Sequence, residues 1–264
     1  MLKYLSIVSA LVLFVCVNHS LAGSSSENDR LTAQQEVQKK KTSDNPVDLK
    51  NLEDGEPIAI DDPIASWNRL VFGFNDFLYF YALKPVGQVW KVIPTPFRQA
   101  LKNAYYNIRI PIRLFNSLLQ GNGQKAKTEA LSFLINSTLG IGGLGDPAKK
   151  ILGSKPSDED FGQTLGAWKV NQGIYLVWPF FGPSTVRDSF GWAGDLAVDP
   201  LFYFTYIIAG YKLWPHTIAV WSGEAANDVS FRIGDYEALK EAAIDPYEAL
   251  KDAYLQYRKK KLDE

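Results

Sequence analysis

Few residues in this 264-residue chain could do covalent chemistry. It holds one Cys (Cys16) and two His (His19 and His216), and without residues 1–22 only His216 remains. That inventory excludes thiol nucleophiles, disulfide frameworks and Cys/His zinc sites. His216 follows Pro215 in an aromatic stretch with no Asp or Ser spaced to partner it, so it reads as an interface histidine. Gly182-Pro183-Ser184 is not a nucleophile elbow, because no Gly stands two positions after the Ser. Asp158-Glu159-Asp160 reads as a solvated turn that caps the following helix. Gly140-Ile141-Gly142-Gly143-Leu144-Gly145 has G-x-G-x-x-G spacing, but that motif cradles a pyrophosphate only between a strand and a helix. Upstream, Lys125 to Leu139 reads as helix, with Ala126, Ala130, Phe133 and Leu134 on one face. A glycine-rich helix terminus is expected there instead. No G-x-x-x-x-G-K-[ST] occurs, so no ATP-driven step is expected. The residues predict no enzyme, no cofactor and no metal.

The noncovalent chemistry is more telling. Ser66 to Leu83 carries Trp67, Leu70, Val71, Phe72, Phe74, Phe77, Leu78, Phe80 and Ala82 around most of a helical circumference. Its polar side chains Asn68 and Arg69, then Asn75 and Asp76, stand seven residues apart and stack on one narrow strip. A helix apolar nearly all round is buried or sits in lipid. Unpaired buried polar groups cost several kcal/mol, so the strip must face partners or water. Leu201 to Ala209 repeats the theme with Thr205 as its break. One reading is a pair of central helices in a soluble core. The sharper one is a protein immersed in lipid around a wet interior, with Asn68, Arg69, Asn75 and Asp76 lining the passage.

The rest of the chain must position those helices. Aromatic residues number 35 (15 Phe, 13 Tyr and 7 Trp), and Trp and Tyr suit boundaries between apolar and wet surroundings. Charge is balanced, with 28 Lys+Arg against 29 Asp+Glu, which argues against a nucleic-acid binder. Residues 1–22 read as a signal peptide: Lys3, an apolar run from Leu5 to Val17, then Ser20-Leu21-Ala22 before Gly23. Val15 is bulky for a site preceding a lipidated Cys16, so simple cleavage and export is expected. Residues 23–61 lack aromatics and read as a polar tether. The folded part is expected over 62–258, followed by a charged tail at 259–264.

Four Asp-Pro steps, at Asp62, Asp146, Asp199 and Asp245, mark helix starts, and Glu248 stands at the capping-box position after Asp245. Tyr247, Leu250, Tyr254 and Tyr257 then form a stripe. Leu101, Ala104, Tyr105, Ile108, Ile112 and Phe115 form another, which Pro111 should split. The fold class is mostly α. Thirteen of the 20 glycines lie between Gly121 and Gly194. There, two β-prone runs flank Asn171-Gln172-Gly173, which predicts a small β-hairpin with its loop at Val170, Asn171, Gln172, Gly173 and Ile174. No stretch reaches 18 uninterrupted apolar residues. Short apolar segments broken by Pro, Gly and amides fit a protein lying in one leaflet.

Several motifs occur in a fixed order. They are Asp62-Pro63 with Trp67-Asn68-Arg69 and Phe74-Asn75, Phe115-Asn116-Ser117-Leu118-Leu119-Gln120-Gly121, and Phe133 with Asn136 to Gly143. Then come Asp160-Phe161-Gly162-Gln163-Thr164-Leu165-Gly166, Tyr175 to Pro179, Gly182-Pro183-Ser184 with Arg187-Asp188, and Asp245-Pro246-Tyr247. The series resembles the MlaA (VacJ) family of outer-membrane lipid-asymmetry proteins. The resemblance implies a ring-like helical domain embedded in the inner leaflet of the outer membrane, with a central amphipathic channel. It further implies association with trimeric porins, removal of phospholipids misplaced in the outer leaflet, and their transfer to a periplasmic lipid-carrier protein. Family members are usually lipidated, and the context of Cys16 departs from that pattern. By the same resemblance, the loop at Val170–Ile174 falls where a gate would sit. A charge-poor, amide-bearing lining is expected to tolerate different headgroups. The alternative is a soluble periplasmic lipid-binding or scaffold protein.

Overall fold

The computed structural model of the chain describes residues 60–153, 157–208 and 213–263, with side chains described at all of these except 205–218. The expected signal peptide at 1–22, Cys16, the polar stretch as far as residue 59, and the side chains of Thr205 and His216 lie outside the described residues. Ile60 is already partly buried against the core, and the Asp61 carbonyl accepts from the Tyr175 N–H, so ordered packing begins slightly ahead of Asp62.

Helix α1 spans Ala65–Leu78 and runs through a π-helical stretch, Tyr79–Leu83, into α2, Lys84–Trp90. Next come α3, Thr95–Ile108, and α4, Ile110–Leu119. Pro111 sits in the first turn of α4, and Arg109 (φ −88°, ψ 0°) forms the break, as the proline predicts. Helices α5, Gly123–Thr138, α6, Pro147–Leu152, and α7, Phe161–Ala167, lead to strands β1, Tyr175–Trp178, and β2, Gly182–Thr185. The chain closes with α8, Val186–Leu196, α9, Pro200–Ile208, α10, Leu213–Arg232, α11, Asp235–Ala242, and α12, Pro246–Asp263. The fold is mostly helical with one two-stranded antiparallel sheet.

Three Asp-Pro steps act as their residue types dictate. Asp146 accepts from the Lys149 N–H, Asp199 from that of Leu201, and Asp245 from those of Tyr247 and Glu248. Glu248 turns toward Arg69 and Lys251 instead of closing a capping box. Asp62 departs further. Its carboxylate takes the Asn68 amide at 2.8 Å and the Tyr247 hydroxyl, while α1 begins three residues later without a side-chain cap. Residues 259–263 continue α12 and do not form a separate tail. Lys261 stands 3.6 Å from Asp158, and cations are favourable in the last turn of a helix.

The glycine-rich run after α5 is a helix terminus, as its helical upstream sequence predicts. Gly143 adopts φ +89°, and a Cβ there would lie 2.5 Å from the Asn107 side chain. The hairpin, however, is displaced from the expected position. Tyr175 pairs with Thr185 and Trp178 with Gly182, so the turn is Pro179-Phe180-Phe181, with Phe180 at φ +70° and Gly182 at +82°. The upstream β-prone run instead closes α7: the Lys169 N–H reaches the Gly166 carbonyl and the Val170 N–H reaches that of Leu165. Thus 170–174 is the α7–β1 connection.

Val71, Tyr175, Val177 and Tyr247 form a small core where α1, β1 and α12 meet, with Phe72 and Tyr254 packed against it. Elsewhere the usual distribution is inverted. Among the described residues, eighteen polar or charged side chains are buried against eleven hydrophobic ones, and thirty-two large hydrophobic side chains are exposed. Along α3 and α4, Arg98, Asn107, Arg113, Asn116 and Ser117 face inward while Leu101, Ile108, Phe115 and Leu118 face out. Trp67, Leu70, Phe74 and Phe77 of α1 also face out. No helix among the described residues is long and apolar enough to cross a membrane.

Candidate functional site

A cavity of about 740 Å³ opens between α3, α4, the hairpin, α8, α10 and α12. Its walls come from elements whose crossings need small residues. A Cβ on Gly191 of α8 would lie 2.3 Å from the Gly162 nitrogen of α7, so only glycine permits this approach. Beside that crossing, the Asp195 carboxylate accepts from the Asn116 amide at 2.8 Å and the Phe161 N–H at 3.0 Å. Thr164 donates to the Asn116 carbonyl oxygen at 2.9 Å, joining α4, α7 and α8 through one buried polar knot. Burial pushes the Asp195 carboxyl up to about 6, against the lowering effect of the Asn116 hydrogen bond and with the nearby Asp160 charge adding to the rise.

A second network fixes α12 to the same wall. Arg258 binds both oxygens of Asp160 and reaches Asp188 at 2.8 Å, while the Tyr254 hydroxyl donates to Asp188 at 2.6 Å. Burial opposes the charge of Arg258, yet the two carboxylates outweigh it and hold the guanidinium firmly protonated. Burial likewise opposes ionisation of Asp188, but Arg258 and Tyr254 keep its carboxyl below the usual range. On the opposite side Arg113 pairs with Glu129 at 3.0 Å.

The lining of this cavity is therefore charged. Four arginines (109, 113, 232 and 258) face six carboxylates (Asp158, Glu159, Asp160, Asp188, Asp195 and Glu224), and no Asn or Gln is among the lining residues. Tyr105, Tyr106, Tyr254 and Tyr257, with Trp178, Phe181 and Trp192, supply the apolar remainder. The Ser189 hydroxyl donates to the Thr185 carbonyl at 2.7 Å, and the Ser184 hydroxyl lies within hydrogen-bond reach of both that carbonyl and the Ser189 oxygen. Such a cavity can hold an amphipathic molecule with a polar end.

The α1 seam lies elsewhere, and its four side chains go to different partners. Asn68 is fully buried and bonds the β1 backbone at Tyr175 and Val177. Arg69 is exposed, pairs with Asp245 and Glu248, and stacks 4.4 Å over Tyr247. Asn75 clasps the hairpin turn, donating to the Trp178 carbonyl and accepting from the Phe180 N–H. Asp76 takes the Tyr236 hydroxyl and Lys240. None of the four is among the lining residues of this cavity. The same is true of Val170, Asn171, Gln172, Gly173 and Ile174. That connection is tied at Gln172 and Ile174, whose carbonyls accept from the N–H groups of Arg187 and Val186.

Sequence reasoning missed Arg109, Arg113, Asp195 and Glu224. For the first two, arginines inside the otherwise apolar run Ile108–Phe115 were the available signal, since charges in such a stripe need a polar destination.

A family model described as MlaA lipoprotein matches residues 60–261, which is most of the chain. The chain belongs to the MlaA lipoprotein family. Relatives named intermembrane phospholipid transport system lipoprotein MlaA include one from Shigella flexneri, 32% identical over 74% of this chain and 76% of the relative. Another, from Escherichia coli (strain K12), is 31% identical over the same shares. A solved structure, from work on the structural basis for maintenance of bacterial outer membrane lipid asymmetry, is 28% identical. It has a TM-score of 0.63 and covers 76% of this chain and 99% of the solved one.

Proposed function

We propose that this chain transports phospholipid between membranes, removing molecules misplaced in the outer leaflet of the outer membrane and so maintaining its lipid asymmetry. The inverted distribution carries the reading: apolar side chains point outward around an interior that holds a charged cavity. Exposed apolar surface of this extent marks contact with lipid or protein and argues against a soluble carrier. The domain lies within the periplasmic leaflet, held by the exposed Leu101, Ile108, Phe115 and the outer face of α1.

Mechanistically, no bond is made or broken. Acyl chains prefer hydrocarbon by ~0.8 kcal/mol per CH₂, while the headgroup resists it. The outer belt keeps the tails against lipid as the headgroup passes the charged cavity. The downhill return of a misplaced lipid and its capture by a periplasmic lipid carrier supply direction. A trimeric porin beside the apolar belt fits the same placement.

The test is complementation. In a Gram-negative strain lacking its own family member, the full chain should lower surface-accessible phospholipid and fractionate with the outer membrane. Unchanged surface phospholipid with the protein present in that membrane overturns the transport reading. Recovery as a soluble periplasmic monomer overturns the placement.

A further inference from the structure

Most charged groups around the cavity are already engaged. Arg258 is held by Asp160 and Asp188, Arg113 by Glu129 and the Tyr106 carbonyl, and Glu159 by Lys125 and Gln120. Arg109 and Glu224 differ. Arg109 stands at the break between α3 and α4, and its buried Nε has no hydrogen-bond partner. Asp199, the carboxylate within ion-pair range of it, is 3.9 Å away. Glu224, on α10, forms no hydrogen bond or close ion pair among the described residues. Burial raises the Glu224 carboxyl and Asp228 adds to that, while the charge of Arg109 works in the opposite direction. A cation held only by a long ion pair to Asp199 and by the Tyr105 ring 5.7 Å away, with an open Nε–H, thus shares a single cavity with a carboxylate that has no close partner among the described residues.

We propose that Arg109 and Glu224 together read a zwitterionic headgroup, so that the protein prefers phospholipids ending in a primary ammonium over anionic ones. The inference rests on the transport reading above and specifies its substrate class. A guanidinium with an open N–H is suited to a phosphodiester, with which it forms charge-assisted hydrogen bonds. A primary ammonium has three donors for the carboxylate of Glu224. An anionic headgroup satisfies Arg109 but leaves Glu224 facing a second negative charge. It does so in a lining where carboxylates outnumber arginines.

The experiment offers the purified full chain, in detergent, an equimolar mixture of phosphatidylethanolamine and phosphatidylglycerol, and counts retained lipid by native mass spectrometry. The wild type should retain the ethanolamine lipid in about fivefold excess, the scale of one partly screened ion pair. Glu224→Gln should bring the ratio to about one, Glu224→Asp should keep the preference, and Arg109→Gln should reduce retention of both lipids alike. A wild-type ratio of one overturns the proposal without any variant needing to fold. An unchanged ratio in Glu224→Gln also overturns it, reducing Arg109 and Glu224 to a structural pair. Lipid retained without preference leaves transport standing, whereas a chain that holds no lipid removes the transport reading as well.

Discussion

Asn68 accepts a hydrogen bond from the Val177 N–H at 2.8 Å and donates to the Tyr175 carbonyl at 3.1 Å, joining α1 to β1 across more than a hundred residues. It also donates to Asp62, so one amide ties the start of the fold, the hairpin and, through the Tyr247 hydroxyl on Asp62, the last helix.

Replacing it tests whether the seam is structural. Asn68→Leu strips a partner from the Val177 N–H and the Tyr175 carbonyl, two backbone groups in a dry setting. Each orphan costs about 1–3 kcal/mol. For a domain of about 200 residues this lowers Tm by roughly 5–15 °C. Circular-dichroism melts in detergent measure it, and an unchanged Tm would contradict the clamp.

Glycines separate along the same logic. Gly191→Ala places a methyl 2.3 Å from the Gly162 nitrogen and must push α7 from α8, a loss of about 1–3 kcal/mol or more. Gly73 lies within α1 with nothing within 4 Å of a built Cβ, so Gly73→Ala should stabilise by up to about 1 kcal/mol. Melts of the two variants should move in opposite directions.

Helix existence was legible in the sequence because Asp-Pro steps and Pro111 act locally. Apolar coverage of α1 was equally plain, since it needs only counting around a wheel. What the seam touches was not, because its partners Tyr175, Val177, Trp178 and Phe180 lie about a hundred residues away. The hairpin slipped because β-propensity cannot register that Gly166 and Ala167 finish a helix. The cavity was hidden for a related reason. Arg109 from the α3–α4 break, Asp195 from α8 and Glu224 from α10 are far apart in the chain, and each alone reads as an ordinary surface charge.

Asn75→Ala should loosen the hairpin turn, removing both bonds that hold Trp178 and Phe180. Hydrogen exchange of peptides covering 176–184 should accelerate severalfold in the variant, while peptides from α5 keep wild-type rates. Equal exchange at the turn would show that the edge-on packing of Phe74 against Phe180, 5.3 Å between centroids, suffices by itself.

Asp195 predicts a pH dependence with a defined sign. Its carboxyl, raised from 3.8 to about 6 chiefly by burial, binds a proton more tightly in the folded state than in the unfolded chain. Its contribution to stability is therefore full below about pH 4 and is lost as pH rises through about 6, a change of order 2–3 kcal/mol. Asp188, Asp245 and Glu237, the last lowered to about 2, run the other way and lose their contributions as pH falls below the usual carboxylate range. Asp195→Asn isolates the effect. Both the Asn116 amide and the Phe161 N–H donate to the same Asp195 oxygen, and an asparagine keeps an acceptor there. Melts from pH 4 to 8 should show the variant nearly level with wild type at pH 4, gaining on it up to about pH 6 and holding that advantage above. A variant destabilised equally at every pH would mean that the second oxygen, and not the cost of its charge, decides the balance at this crossing.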